Sequence, residues 1–152
     1  MTSKPDNEYR YICHAKDHFS KFCWSSPLTS KRAEEVAVVL FNIFIIFGPP
    51  VILHTDNGKE FTASIINQLI SMWPGVRIIN GRPRHPESQG SIEKANDSLE
   101  RKLSKWMEDE KSTNWTQGLP LATHVMNTEI SRITKHTPYE LVFGQKPRMH
   151  LP

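Results

Sequence analysis

Residues 51–61 read Val51-Ile52-Leu53-His54-Thr55-Asp56-Asn57-Gly58-Lys59-Glu60-Phe61. A short apolar run of strand type ends in Asp56-Asn57-Gly58, a turn signature. From Phe61 the chain enters a helical pattern, with apolar residues at Ile65, Ile66, Leu69, Ile70 and Trp73 and a break at Pro74-Gly75. Residues 76–79 then form another short strand. Alternation of strand and helix predicts a sheet with helices packed on it. Asp56 falls where a buried strand turns, and open α/β sheets gather functional groups at such strand ends.

Working outward toward the N-terminus, residues 36–47 are a nearly unbroken apolar helix stopped by Gly48-Pro49-Pro50. Ser30 is the expected N-cap, with Glu34 and Glu35 suiting the helix dipole. The apolar run is shorter than the roughly 20 residues that a bilayer-spanning helix needs, so a buried helix is expected and no membrane partner. Residues 9–15 and 22–28 are β-rich, and Asp17-His18-Phe19-Ser20-Lys21 connects them as a hairpin. The N-terminal ten residues have no apolar core and no signal-peptide shape.

Toward the C-terminus, residues 81–90 hold two Pro and two Gly and read as a loop. Helices are predicted over 91–110 and 114–132, with Thr113 as a cap. Thr137-Pro138-Tyr139-Glu140 is a capping box with Pro at the first helical position, and Gly144 closes that short helix. The predicted order is ββαβαβ followed by helices, an α/β fold with a mixed sheet. Residues 1–148 make one domain, and 149–152 begin a linker or tail.

The 152 residues carry a net charge of +3 and seven His, a mildly basic balance that permits nucleic-acid contact without establishing it. With 38% hydrophobic and 23% charged residues the chain can fill a core. Its two cysteines, Cys13 and Cys23, form no metal-ligand pair and no disulfide framework, which fits a reduced intracellular setting.

Glu93 lies near the start of the helix that follows the loop. If that helix packs against the strand end, Asp56 and Glu93 meet as oxygen ligands for a hard divalent cation. From spacing alone, a turn Asp and a solvated Glu is the simpler account. Arg82, Arg84, His85 and Lys94 flank Glu93 and are the candidate contacts to nucleic-acid phosphates, with Lys31-Arg32 a second basic pair. Ordinary solvated surface is the alternative for each. The four tryptophans read as core or subunit-interface residues.

Residues 54–61 resemble the "S-D-N-G-x-E-F" element of integrase catalytic cores from gypsy-type long-terminal-repeat retrotransposons and retroviruses. Residues 84–96 resemble the same family's "Y-H-P-x-(T/S)-x-G-x-V-E-R-x-N". Three further stretches are similar in the family's order: 17–21 to "V-D-x-F-S-K", 47–50 to "F-G-x-P" and 137–144 to "T-P-Y-E-L-V-F-G". The resemblance covers residues 9–148 and implies a ribonuclease H-like fold. It also implies an Asp-Asp-Glu triad holding two Mg²⁺ ions, which clamp the attacking and leaving oxygens in DNA strand transfer. Asp56 and Glu93 match the second and third members. The first Asp belongs on a strand upstream of "Y-I-L-V-V-V-D-x-F-S-K" and has no match, so the first strand is expected to be missing. Asp6 sits in a turn-like stretch, and Asp17 matches the hairpin Asp, which is not a metal ligand.

What the resemblance implies is an integrase-core-like domain with an incomplete catalytic set. Mg²⁺ or Mn²⁺ would bind weakly if at all, and no small-molecule cofactor is expected. DNA is the expected partner, a homodimer the expected assembly with Trp106 and Trp115 as interface candidates, and the nucleus the expected location. Two alternatives stay open: a piece of an active Mg-dependent integrase, and a ribonuclease H-type nuclease. The "T-P-Y-E-L-V-F-G" element favours integrase over the nuclease.

Overall fold

The β-rich runs around Asp17 form the hairpin expected of them. Strand β2 (Tyr9–Lys16) pairs antiparallel with β3 (Cys23–Leu28) from Tyr11↔Leu28 to Lys16↔Cys23. The computed structural model describes residues 2–55, 64–80 and 86–148. The turn is held without glycine: Asp17 Oδ2 accepts from Ser20 N (2.8 Å) and Ser20 Oγ (2.6 Å), and Lys21 takes a positive φ of 65°. A short side chain bonding back to the backbone two or three residues on replaces the missing Gly.

A strand also precedes the hairpin. β1 (Thr2–Asp6) pairs antiparallel with β2 through an irregular register, and Asn7, at φ 55°, makes the turn between them. The expectation that the first strand is missing is corrected to this extent. The physical reason lies outside the segment. The polar Thr2–Asp6 run has no strand pattern of its own, but β2 offers it a free edge. Remote donors then fix it: Trp115 Nε1 donates to Lys4 O (2.6 Å) and Thr116 binds Asp6.

After β3 the chain forms α1 (Ala33–Phe47), β4 (Ile52–Thr55), α2 (Ser64–Ser71) and β5 (Arg77–Asn80). β4 and β5 pair in parallel, from Ile52↔Arg77 to Thr55↔Asn80, around the connecting α2. Among the described residues the strands form an antiparallel three-stranded sheet and a parallel pair, so both strand senses of the expected mixed sheet are present. Helix α1 starts two residues later than Ser30 implied. Arg32 is its N-cap and no side chain caps it, because Ser30 Oγ and Thr29 instead donate to the Glu35 carboxylate. Gly48 ends the helix at φ 86°, its N–H donating to Phe44 O.

Three helices complete the chain: α3 (Pro86–Asp109), α4 (Trp115–Thr128) and α5 (Pro138–Phe143). α3 begins five residues before the expected start, with Pro86 in its first turn, where a missing N–H costs nothing. α4 is shorter than expected and stops at Thr128. α5 carries the expected capping box between Thr137 and Glu140 and ends at Gly144 in the left-handed conformation.

Side-chain alternation along β2 divides the interior in two. Leu28, Val36, Leu40, Phe44, Ile66, Leu69 and Ile70 form one core between the sheet, α1 and α2, with Tyr11 and Cys13 packed against it. Ile12 faces the other way, into Leu99, Leu103, Trp115, Leu119 and Ala122 from α3 and α4. Both helices read this face at intervals of four residues: Ala95, Leu99 and Leu103 on α3, Trp115 and Leu119 on α4. Trp115 is therefore core, which corrects its assignment as an interface candidate. Trp106 lies against Gly118, where any Cβ would strike its ring. No helix among the described residues is long and apolar enough to cross a membrane.

Candidate functional site

Glu93 and Lys94 are both exposed on α3, at its eighth and ninth positions. What fixes them is the seating of α3 on β2. His14 Nδ1 donates to Asn96 Oδ1 (2.6 Å) and Lys16 Nζ donates to Ser91 Oγ (3.0 Å). Alternation puts Ile12, His14 and Lys16 on the same side of β2, so the polar pair extends the apolar contact toward the start of α3. Burial lowers the pKa of His14, which leaves its ring neutral at pH 7, and its Nε2 is buried without a hydrogen-bond partner. Burial also lowers Lys16, and the neighbouring charges of Lys21 and Lys94 act in the same direction.

Asp56, Arg82, Arg84 and His85 lie outside the described residues. β4 ends at Thr55, which is buried, immediately before Asp56. Of the expected site residues the structure thus places Glu93 and Lys94. Of the second basic pair, Lys31 lies over the Tyr11 ring, 5.3 Å from its centroid, and Arg32 is exposed at the N-cap of α1.

The two aspartates upstream of Asp56 have other work. Asp6 is 5% exposed, and its Oδ2 accepts from Thr116 N (2.9 Å) and Thr116 Oγ1 (2.7 Å). Thr116 is the second residue of α4, a helix whose own N-cap, Asn114, makes no side-chain hydrogen bond. Asp6 is a cap supplied from 110 residues away, placing negative charge where the helix dipole favours it. Asp17 is held in the hairpin turn by Ser20.

Magnesium takes carboxylate and water oxygens in an octahedral shell. Among the described residues no three His, Cys, Asp or Glu side chains gather as such ligands would. Glu93 belongs to no such group, so the described residues do not by themselves make a magnesium site. Cys23 is no reactive group either: burial pushes its thiol up to about 11, and both of its backbone groups bond to the Asn127 amide.

His14, Lys16 and the capping role of Asp6 are not apparent in the sequence on its own. The first two carry a signal, since they occupy positions that are apolar in "Y-I-L-V-V-V-D-x-F-S-K". Asp6 carries none, because its partner belongs to a distant helix.

Comparison with known proteins accords with this architecture. A family profile described as integrase core domain matches residues 2–86, more than half of the chain. KRAB-A domain-containing protein 2 of Homo sapiens is 36% identical over 151 residues, covering 99% of the chain and 31% of that protein. The Pro-Pol polyprotein of simian foamy virus type 1 is 29% identical across 92% of the chain and 12% of the polyprotein. The Pol polyprotein from transposon 412 of Drosophila melanogaster is 29% identical across 93% of the chain and 11% of its own length. The chain thus spans a third or less of each of these relatives. The crystal structure of the catalytic core domain of BIV integrase superposes with a TM-score of 0.76 at 28% identity, covering 91% of this chain and 88% of that one. The HTLV-2 integrase core in complex with magnesium, a trimeric form, shares the fold with a TM-score of 0.71 at 16% identity, covering 87% and 92%.

Proposed function

Because the chain belongs to the integrase core domain family, we propose that it is a nucleic-acid-binding integrase core of retroelement descent whose residues 1–152 leave the catalytic carboxylate set incomplete. One observation carries this reading. Asp6 and Asp17 are the aspartates of residues 1–55, and both are spent on hydrogen bonds that hold the fold, Asp6 on the start of α4 and Asp17 on the hairpin turn. Two-metal phosphoryl transfer needs a ligand shared by both ions, about 3.5–4 Å apart. Asp56 and Glu93, the proposed second and third ligands, do not supply it between them.

DNA is the proposed ligand, engaged by Lys94 and by Arg82, Arg84 and His85 ahead of α3. A nuclear location follows from that ligand. A homodimer is the proposed assembly, and the outward face of α1 supports it: Val38, Ile45 and Ile46 are 60%, 60% and 74% exposed, a run of large apolar side chains. The test of the metal argument is calorimetric titration of the chain with Mg²⁺ and with Mn²⁺. At most one weak site is expected, with Asp56→Asn and Glu93→Gln each abolishing it. Two tight sites would overturn the incomplete-set reading.

A further inference from the structure

The seam between β2 and α3 holds a buried base whose proton-accepting atom meets no partner. His14 spends its Nδ1 hydrogen on Asn96 Oδ1 (2.6 Å), so its lone pair lies on Nε2, which is buried without a hydrogen bond. A proton added there would make a buried N–H⁺ with no acceptor, which is costly. The groups around the ring do not offset that cost. β2 contributes Lys16, a second cation on the same side of the strand. β3 contributes Ser25, opposite His14 in the register. α3 contributes Asn96, which is neutral, while Glu93, Lys94 and Asp97 on either side of it are exposed. Burial opposes the charged ring, the Asn96 bond favours it, and the positive charges of Lys16 and of the amino terminus oppose it again.

The two halves of α3 are held differently. Leu99 and Leu103 lie in the core with Ile12, Trp115 and Leu119. Nearer the start of the helix the contacts with β2 are polar, His14 to Asn96 and Lys16 Nζ to Ser91 Oγ (3.0 Å), and the buried apolar residue there is the small Ala95. Releasing residues 91–96 gives up two hydrogen bonds and little apolar area, while Leu99 and Leu103 stay seated. A segment with few buried apolar contacts opens at a lower free energy than the core beside it. In the released state Nε2 meets water and takes up its proton freely. Acid therefore favours release.

We propose that the His14–Asn96 contact is a proton-operated catch, which seats the start of α3 on β2 when His14 is neutral and releases it when Nε2 takes a proton. Glu93 lies within the released stretch, so its position follows the catch. That the movement regulates a metal or nucleic-acid site rests on the function proposed above. The catch itself is a property of the packing and stands or falls without it.

The test is amide hydrogen exchange of the full chain, followed by NMR from about pH 7.5 to about pH 5.5 and corrected for the intrinsic effect of pH. Opening at residues 94–97 is expected at a lower free energy than at residues 103–106 of the same helix. It should increase about five- to tenfold over that interval, because the released ring titrates near 6.5 and the seated ring below it. His14→Gln removes the titration and should abolish the increase. Asn96→Ala removes the acceptor but keeps the buried ring. It should raise opening already at neutral pH and retain the acid dependence. An increase that persists in His14→Gln assigns it to another group and overturns the catch. Unchanged neutral-pH opening in Asn96→Ala also overturns it. So does equal protection in both halves of α3, moving together with pH, which would make His14 a contributor to global stability alone. Failure of the chain to bind DNA or metal, with the exchange pattern as expected, would overturn the proposed function and keep the catch.

Discussion

Asp6 accepts two hydrogen bonds from Thr116, and its removal leaves the first turn of α4 uncapped. Asp6→Ala is therefore expected to destabilise the chain by about 1–2 kcal/mol, as losing a cap does. Urea denaturation reads this directly, and an unchanged midpoint would detach Asp6 from the fold and return it to the pool of free carboxylates. Gly118 is a second single-residue test. A Cβ there would strike the Trp106 ring, whose position is fixed by the packing of α3 on α4. Gly118→Ala should cost about 1–3 kcal/mol through overpacking, even though alanine is the better helix former. His14 adds a pH dependence. Burial holds its folded-state pKa below the ordinary 6.5, so the unfolded chain takes up a proton first as pH falls. The contribution of neutral His14 is complete above pH 6.5 and declines below it, by up to about 1.4 kcal/mol per pH unit, until the folded-state pKa is passed. His14→Gln should flatten stability over that window in denaturant titrations run at stepped pH. None of these three roles is legible from residue type alone, since each depends on a partner that only the packing of α3 and α4 supplies.

Among the elements, those with local signals matched the structure best. The capping box of α5 and the Gly48 stop of α1 are written in adjacent residues, and both appear as read. Strand β1 is the opposite case. Thr2–Asp6 contains Pro5 and no apolar alternation, and it becomes a strand because β2, Trp115 and Thr116 hold it there. The start of α3 lies ahead of its sequence pattern for a related reason: Pro86 reads as a breaker inside a loop, yet at the first turn of a helix it is well suited. Helix α1 carries its own prediction. Its inner residues Val36, Leu40 and Phe44 are buried, while Val38 and Ile45 point outward. Introducing a charge on the outer face, as in Ile45→Glu, should shift the sedimentation profile toward monomer with little loss of thermal stability. An unchanged profile would move the self-association surface away from α1.

At the scale of the molecule, the two cores on either side of the β2–β3 sheet explain why the fold tolerates a polar seam between them. α1 and α2 bury one face, α3 and α4 the other, and the polar contacts of His14 and Lys16 lie where α3 runs past the apolar interior. That architecture is the integrase core, and five motifs in family order made it readable from the sequence. The candidate site was less legible, because its chemistry depends on which carboxylates remain uncommitted after folding. The central claim is that Asp56 and Glu93 lack a third carboxylate ahead of them, because Asp6 and Asp17, the aspartates of residues 1–55, are both committed to the fold. The direct measurement is a gel assay of labelled donor-DNA joining by the chain, run beside its Asp56→Asn form with Mg²⁺ and with Mn²⁺. The account predicts no joined product from either form with either metal. Joined product from the unmodified chain, lost in Asp56→Asn, would contradict it and place Asp6 or Asp17 among the metal ligands.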